Sequence, residues 1–260
     1  MNQVKVIKIG GNVVDNPVLL HDFLENFSKI PGRKVLVHGG GVMASQMQKE
    51  LGMVPEMVEG RRVTDADTLR IVTMVYAGWC NKQIVSMLQG FGCNALGFSG
   101  ADGDLIRSEK RPPVEMAGRV VDFGFVGDVR MVNTDLLETI LDAGMVPVVC
   151  AITHDCEGHL LNTNADTVAS SLAIALAGAE SVELVYCFEK DGVLYDKDDD
   201  DTVIPSLTRE DFAALKAEGR VAAGMIPKLE NSFAAISAGV SSVVIKHAAN
   251  ILENYGTVLK

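Results

Sequence analysis

Short runs of branched apolar residues alternate with amphipathic runs along almost the whole chain, and this alternation constrains the fold more than any other feature. Val4 to Ile9 (VKVIKI), Lys34 to His38 (KVLVH), Met145 to Ile152 (MVPVVCAI), Val182 to Cys187 (VELVYC) and Ser241 to His247 (SSVVIKH) have strand character. Between them lie helical patterns. Residues 16–30 place Leu20, Phe23, Leu24 and Phe27 on one face, with Asn16 as cap and Pro17 in the first turn. Residues 41–51 form a helix closed by Gly52, and 65–89 form one or two helices, with a break expected near Gly78. Further helices are expected over 133–144, over 164–178, over 208–219 with a Thr208/Asp211 capping pair, and over 227–239. Glycines, prolines and short β runs over 105–129 predict hairpins. Residues 188–204 predict a long hairpin whose acidic tip, Asp198 to Asp201, is a solvated turn. Strands apolar on both faces need cover on both, so the pattern predicts an α/β fold with a mainly parallel sheet. Ligands in such folds sit at the carboxyl ends of the strands.

Charge and cysteine usage narrow the function. The 260 residues carry 23 basic and 34 acidic side chains, a net charge of −11. No basic face for nucleic acid is visible. The apolar stretch from Thr167 to Ala179 is too short to span a bilayer. Five cysteines, an odd number without CxxC spacing, and an N-terminus without signal-peptide layout predict a cytoplasmic protein with reduced thiols.

Two glycine turns follow two successive strands: Lys8-Ile9-Gly10-Gly11 and His38-Gly39-Gly40-Gly41. The second fits G-x-G-x-x-A, the dinucleotide fingerprint. It follows the second strand, however, and Glu59, the acidic residue at the right distance, does not end a strand. Two sets of turn amides around one crevice suit anionic oxygens instead. Lys8 is placed near a carboxyl edge, and its plain alternative is a lysine reaching solvent. Lys228 follows Pro227 in the first turn of a helix, where a cation faces the positive end of the macrodipole; an intervening phosphate reverses that sign. Asn164 and Asp166 suit a helix start, whereas Asn162 lies before the cap beside a strand end. His154, Cys156 and His159 supply three metal donors within six positions. A zinc site also needs a fourth ligand or an open position, and no second cluster accompanies these three, so a hairpin with surface histidines is the preferred reading and no metal ligand is assigned.

The motifs IKIGGNVV, VLVHGGG, GRRVTD, GFSGADG, VDFGFVGDV, LLNTNADTVA and GMIPKLENS, taken in order, resemble the amino-acid kinase family over essentially the whole chain, and within it the branch acting on acylglutamates. The resemblance implies a three-layer αβα sandwich with a mainly parallel open sheet. It implies a lobe over 1–178 for acyl-glutamate binding and dimerisation, and one over 179–260 for ATP binding. The implied reaction is phosphorylation of the γ-carboxylate of N-acetyl-L-glutamate, with N-succinyl-L-glutamate as the alternative, using ATP with Mg²⁺, in arginine biosynthesis. Lys8, Lys228 and Asp166 correspond to catalytic residues. Gly40, Gly41, Arg62 and Asn162 correspond to substrate contacts, and Gly10, Gly11, Glu189, Lys190, Asp191, Gly192, Val193, Leu194, Arg220, Val221 and Ala222 to ATP contacts. The stretch Phe188-Glu189-Lys190-Asp191 departs from the family's usual Ser/Thr-Asp pattern, and Arg61 stands where a leucine is common. An extra cation there suits a dicarboxylic acyl group. Arginine-sensitive relatives carry an added N-terminal helix; here a strand begins within a few residues of Met1, so the expectation is an arginine-insensitive homodimer with the helices after Arg62 at or near its interface.

The chemistry agrees with the resemblance. A side-chain carboxylate is already ionised at pH 7, with an ordinary pKa of about 4.3, so it needs no general base. Phosphoryl transfer needs alignment and charge neutralisation instead. Arginine matches a carboxylate bidentately, which suits Arg62.

Overall fold

The computed structural model describes residues 3–116, 118–196, 198–199, 201–221 and 225–260. In chain order its elements are β1 (Gln3–Ile9), α1 (Gly11–Val14), α2 (Pro17–Lys29), β2 (Arg33–His38), α3 (Gly41–Glu50), β3 (Met57–Val58), β4 (Arg61–Arg62), α4 (Ala66–Thr73), a π-helical segment (Met74–Cys80), α5 (Asn81–Gly90), β5 (Ala95–Phe98), a 3₁₀ turn (Asp102–Asp104), β6 (Ile106–Lys110), β7 (Val114–Met116), β8 (Arg119–Val121) and β9 (Gly127–Val132). There follow α6 (Thr134–Asp142), β10 (Val146–Cys150), β11 (Ile152–His154), β12 (Leu160–Asn162), α7 (Ala165–Leu176), β13 (Ser181–Phe188), β14 (Ser206–Leu207), α8 (Arg209–Ala217), α9 (Ile226–Ser237), β15 (Ser242–His247), a second 3₁₀ turn (Ala248–Asn250) and β16 (Thr257–Leu259). The chain packs into two compact units, residues 1–36 with 169–260, and residues 37–168. These units follow the packing of the chain, whereas the expected lobes, cut at 178, follow the ligands that the resemblance implies.

The first unit is built on strands in the order β14-β16-β15-β13-β1-β2. β1 pairs in parallel with β13, β13 with β15 and β14 with β16, whereas β15–β16 is antiparallel. Val4, Val6, Ile7 and Ile9 of β1 are all fully buried, as are Val182, Leu184 and Cys187 of β13, so both strands are apolar on both faces. α2 starts as the sequence predicts: Asn16 Oδ1 accepts from the Val18 and Leu19 amides, and Leu20, Phe23, Leu24 and Phe27 face inward. Its far end is closed by a lysine. Lys34, buried on β2, sends Nζ to the carbonyls of Phe27 (2.8 Å), Ser28 (3.0 Å) and Ile30 (2.6 Å), and lies 4.9 Å from the centroid of the Phe27 ring. Three charge-assisted bonds to carbonyls at the negative end of a helix make this burial tolerable. The Thr208/Asp211 capping box at α8 is also present.

The second unit contains a β10–β5 parallel pair and a four-stranded sheet ordered β12-β11-β6-β9. Two expected hairpins appear, β7–β8 and β11–β12. The break expected near Gly78 does not occur. The chain stays helical from Ala66 to Gly90, and Gly78 lies inside a seven-residue π-helical stretch that turns Val75, Tyr76 and Cys80 inward. Trp79 and Met74 on the same stretch face outward, 60% and 50% exposed. No described helix is long and apolar enough to cross a membrane.

Candidate active site

In the first unit β1 delivers Lys8 and Gly10 to one strand end. Lys8 is opposite Tyr186 and Ile9 opposite Cys187 in register, and the Gly10 amide donates to the Cys187 carbonyl at 3.2 Å. The chain then turns into α1 at Gly11, with Gly10 as its N-cap. Lys8 is buried, so the solvent-seeking alternative fails. Its Nζ lies 5.4 Å from the centroid of the Phe188 ring, and Lys228 Nζ lies 3.8 Å from the same centroid. Lys228 occupies the first turn of α9, behind Pro227, at a helix start without a side-chain cap. Two ammonium groups thus lie near one aromatic ring, one of them from the first turn of a helix. Like charges so placed repel, and a multiply charged anion turns that repulsion into binding energy.

The predicted nucleotide residues follow Phe188. Glu189 and Lys190 are exposed, whereas Gly192 and Val193 are buried. Asp191 Oδ1 accepts from Asn250 Nδ2 at 3.0 Å, the Val193 amide donates to Thr257 Oγ1 at 2.8 Å, and Leu194 bridges to Val203. Arg220 returns to the same hairpin, its guanidinium 4.5 Å from the Tyr195 ring centroid and its Nε 2.9 Å from Glu218. Val221 is half-buried, and Ala222 lies outside the described residues.

In the second unit the glycine turn at 39–41 is backed by aromatic and polar groups. A Cβ on Gly40 would meet Tyr76 Cδ1 at 2.8 Å and Cys80 Sγ at 3.1 Å, so the π-helical stretch sets how closely the turn packs. His38 is fully buried beside it. Its Nδ1 donates to the Gly39 carbonyl at 2.8 Å, and its Nε2 accepts from Asn81 Nδ2 at 3.1 Å. Burial lowers its pKa to about 4, so the ring is neutral at neutral pH.

Arg62 is buried on β4, whereas its neighbour Arg61 is exposed, as strand alternation requires. Arg62 Nη2 donates to the Gly41 carbonyl at 2.8 Å and to Ser45 Oγ at 2.7 Å, and Nη1 donates to Gln48 Oε1. Gln48 Nε2 in turn donates to Thr68 Oγ1 on α4 at 3.0 Å. These bonds use three of the five guanidinium N–H groups and fix the plane of the rest. The segment 123–126 joins this strand to Asn162. The Thr64 amide donates to the Phe123 carbonyl (2.9 Å), the Phe125 amide to the Thr64 carbonyl (2.7 Å), and the Asn162 amide to the Phe125 carbonyl (2.9 Å). Asn162 Nδ2 also donates to Thr64 Oγ1 at 3.0 Å. Gly124 is required here: its φ is +71°, and a Cβ would lie 2.2 Å from the Thr64 carbonyl oxygen. Asn164 Oδ1 accepts from the amides of Asp166 (2.8 Å) and Thr167 (3.2 Å), which places Asp166 in the first turn of α7.

Ser45, Gln48, Thr64 and Phe125 are not singled out by the sequence, and Phe188 stands out there only as a departure from the family pattern. One signal is available: Gln48 and Ser45 are polar and three apart on the inward side of α3. The others act through backbone bonds or a ring face, which no residue type announces.

Comparison with known proteins supplies the context. The model of a family described as the amino acid kinase family matches residues 3–247. The acetylglutamate kinase of Bacteroides thetaiotaomicron is 53% identical over 258 residues, which is 99% of this chain and 98% of that protein. Among solved structures, smu.665 from Streptococcus mutans aligns with a TM-score of 0.80 at 26% identity, over 99% of this chain and 98% of that one. Carbamate kinase from Giardia lamblia bound to AMP-PNP aligns at 0.69 and 14% identity, over 99% and 98%, a likeness of fold.

Proposed function

The chain belongs to the amino acid kinase family, and on that premise we propose that it is an acetylglutamate kinase of arginine biosynthesis, moving the γ-phosphoryl group of ATP to the γ-carboxylate of N-acetyl-L-glutamate. The observation that carries the reading is the convergence of Lys8 and Lys228 on Phe188. A carboxylate oxygen attacks the γ-phosphorus, the bond to the β,γ-bridging oxygen breaks, and ADP leaves. No proton has to be removed from the nucleophile. The protein's task is to hold two anions together and spread the charge of the transferring group. Lys8 and Lys228 take that charge, Asp166 is the third catalytic residue, and the amides of Gly10 and Gly11 meet the nucleotide phosphates. Gly40 and Gly41 offer amides to the acceptor carboxylate, Arg62 binds the α-carboxylate, and Asn162 the acyl amide.

Glu189 to Leu194 and Arg220 to Ala222 form the adenine-nucleotide side, so ATP is assigned to the lobe from 179 to 260 and the acylglutamate to the lobe before it. Mg²⁺ is read as arriving with the nucleotide and neutralising phosphate charge; among the described residues the groups of clustered metal donors lie elsewhere, around 104, 154 to 157 and 159. The exposed Met74 and Trp79 support a homodimer through the helices after Arg62. The acidic charge balance and the cysteine usage support a cytoplasmic setting. An ADP-release assay with N-acetyl-, N-succinyl- and unmodified glutamate tests the reading. Turnover with N-acetyl-L-glutamate well above the other two is expected, and no turnover with any acylglutamate refutes it.

A further inference from the structure

The β11–β12 hairpin carries a donor set that the kinase reaction does not use. His154 ends β11, and Cys156 lies two residues on, at the hairpin tip. Sequence spacing groups His154, Cys156 and His159. The structure regroups them. His159 turns to Asp155, its Nδ1 2.7 Å from Oδ2, while His154 and Cys156 meet Asp104 of the first 3₁₀ turn, fifty residues earlier in the chain. His154 Nε2 lies 2.9 Å from Asp104 Oδ1, and Cys156 Sγ lies 3.7 Å from the same oxygen. The nitrogen, sulfur and oxygen all fall within 4.8 Å of one another. A tetrahedral zinc ion with bonds of about 2.0 Å to N and O and about 2.3 Å to S sets its ligands about 3.3–3.7 Å apart. Small side-chain shifts close that difference.

The surroundings support a site. Arg107 Nε donates to both oxygens of Asp104, at 2.7 and 2.9 Å, and Nη2 also reaches Oδ2, so the carboxylate is ionised and fixed in orientation. Asp104 and Cys156 are two of three non-glycine residues with positive φ among the described residues, at +55° and +64°. Both donors are therefore held in a backbone conformation that side chains disfavour. Of the five cysteines only Cys156 is exposed; Cys80, Cys93, Cys150 and Cys187 are buried.

We propose that Asp104, His154 and Cys156 bind one zinc-class divalent ion, with a fourth position open to water, and that the ion ties the tip of the β11–β12 hairpin to the turn at 102–104. The mixed oxygen, nitrogen and thiolate set favours zinc over the hard ions Mg²⁺ and Ca²⁺. Binding displaces the thiol proton of Cys156 to solvent and replaces the His154 Nε2–H to Asp104 bond, the neutral ring then carrying its proton on Nδ1; no oxidation occurs.

Cobalt(II) titration of the full chain, followed by absorption spectroscopy, tests the site. One Co²⁺ per chain, with a thiolate-to-cobalt band that Zn²⁺ abolishes, is expected. Cys156→Ser should remove the band, and His154→Ala and Asp104→Asn should each weaken binding at least about tenfold. His159→Gln should leave binding intact. In the unaltered protein, Zn²⁺ should protect Cys156 from iodoacetamide, a readout that needs no variant. Absence of the thiolate band, equal affinity in Cys156→Ser, or alkylation unaffected by Zn²⁺ overturns the proposal.

Discussion

Lowering the pH from 7.5 to 5 should destabilise the protein through one buried ring. His38 has an ordinary pKa of about 6.5 in the unfolded chain, and burial lowers it to about 4 in the folded one. Between those values the unfolded state binds a proton that the folded state refuses, so stability falls as pH falls. The loss begins near the unfolded pKa and is complete below the folded one. The gap of about 2.5 units corresponds to about 3 kcal/mol in all, of which about 2 kcal/mol is lost by pH 5. The neutral ring is specified on both sides, by Nδ1 donating to Gly39 and Nε2 accepting from Asn81. Protonation removes the acceptor and sets a buried cation against the Asn81 amide. The carboxylates whose pKa is lowered, Asp104 to about 2 among them, lose their contributions only below about pH 4, outside this window. Denaturant unfolding at pH 7.5 and 5 measures the effect. His38→Gln keeps an amide oxygen able to accept and should be less stable at pH 7.5 yet flatter with pH by about 2 kcal/mol. An unchanged pH dependence in this variant would refute the assignment.

Other outcomes follow from the site. Lys8→Ala or Lys228→Ala should lower turnover by about 10²–10³-fold with little change in circular dichroism; near-normal kcat in either variant would sink the phosphoryl-transfer role. Arg62→Ala should chiefly raise KM for N-acetyl-L-glutamate, and Gln48→Leu should raise the same KM about tenfold with a smaller effect on kcat, because it frees the plane that Gln48 fixes; a KM for ATP that moved instead would contradict both. Gly124→Ala should cost about 3 kcal/mol or more, read by thermal melting, since the added carbon meets a backbone oxygen that cannot move aside without opening the Thr64–Phe125 bond. Lys34→Met should cost about 2–4 kcal/mol in denaturant unfolding by leaving three carbonyls at the end of α2 without their donor.

The strands, most helices and their caps were legible because each has a local cause. Asn16 before Pro17 and Thr208 with Asp211 announce helix starts through short-range bonds. Lys8 and Lys228 were legible as charges in places that disfavour charge. What was not legible is long-range. The common ring beneath those lysines belongs to Phe188, which looked like a departure from the family pattern. Gly78 suggested a break because glycine weakens a helix, but packing of Tyr76 and Cys80 overrides the local preference and the chain widens to a π-helical turn. Asp104 was invisible as a partner of His154 and Cys156 because fifty residues separate it from His154, while His159, the nearer candidate in sequence, is taken by Asp155.

The pairing of β1 has a bearing on how the chain matures. Gln3 to Ile9 align residue by residue with Ser181 to Cys187, yet the 132 residues from 37 to 168 form a unit of their own between them. On a ribosome, β1 emerges first and must wait for β13, whereas every partner needed by the unit at 37–168 has emerged before residue 169. Domains generally complete as units during synthesis, so the inserted unit should mature ahead of the one that encloses it. Until β13 arrives, β1 is an apolar strand with an open edge, the feature most prone to pair with a neighbouring chain. Expression yield is therefore exposed to changes that slow the inserted unit, even where they leave every residue of 1–36 and 169–260 untouched.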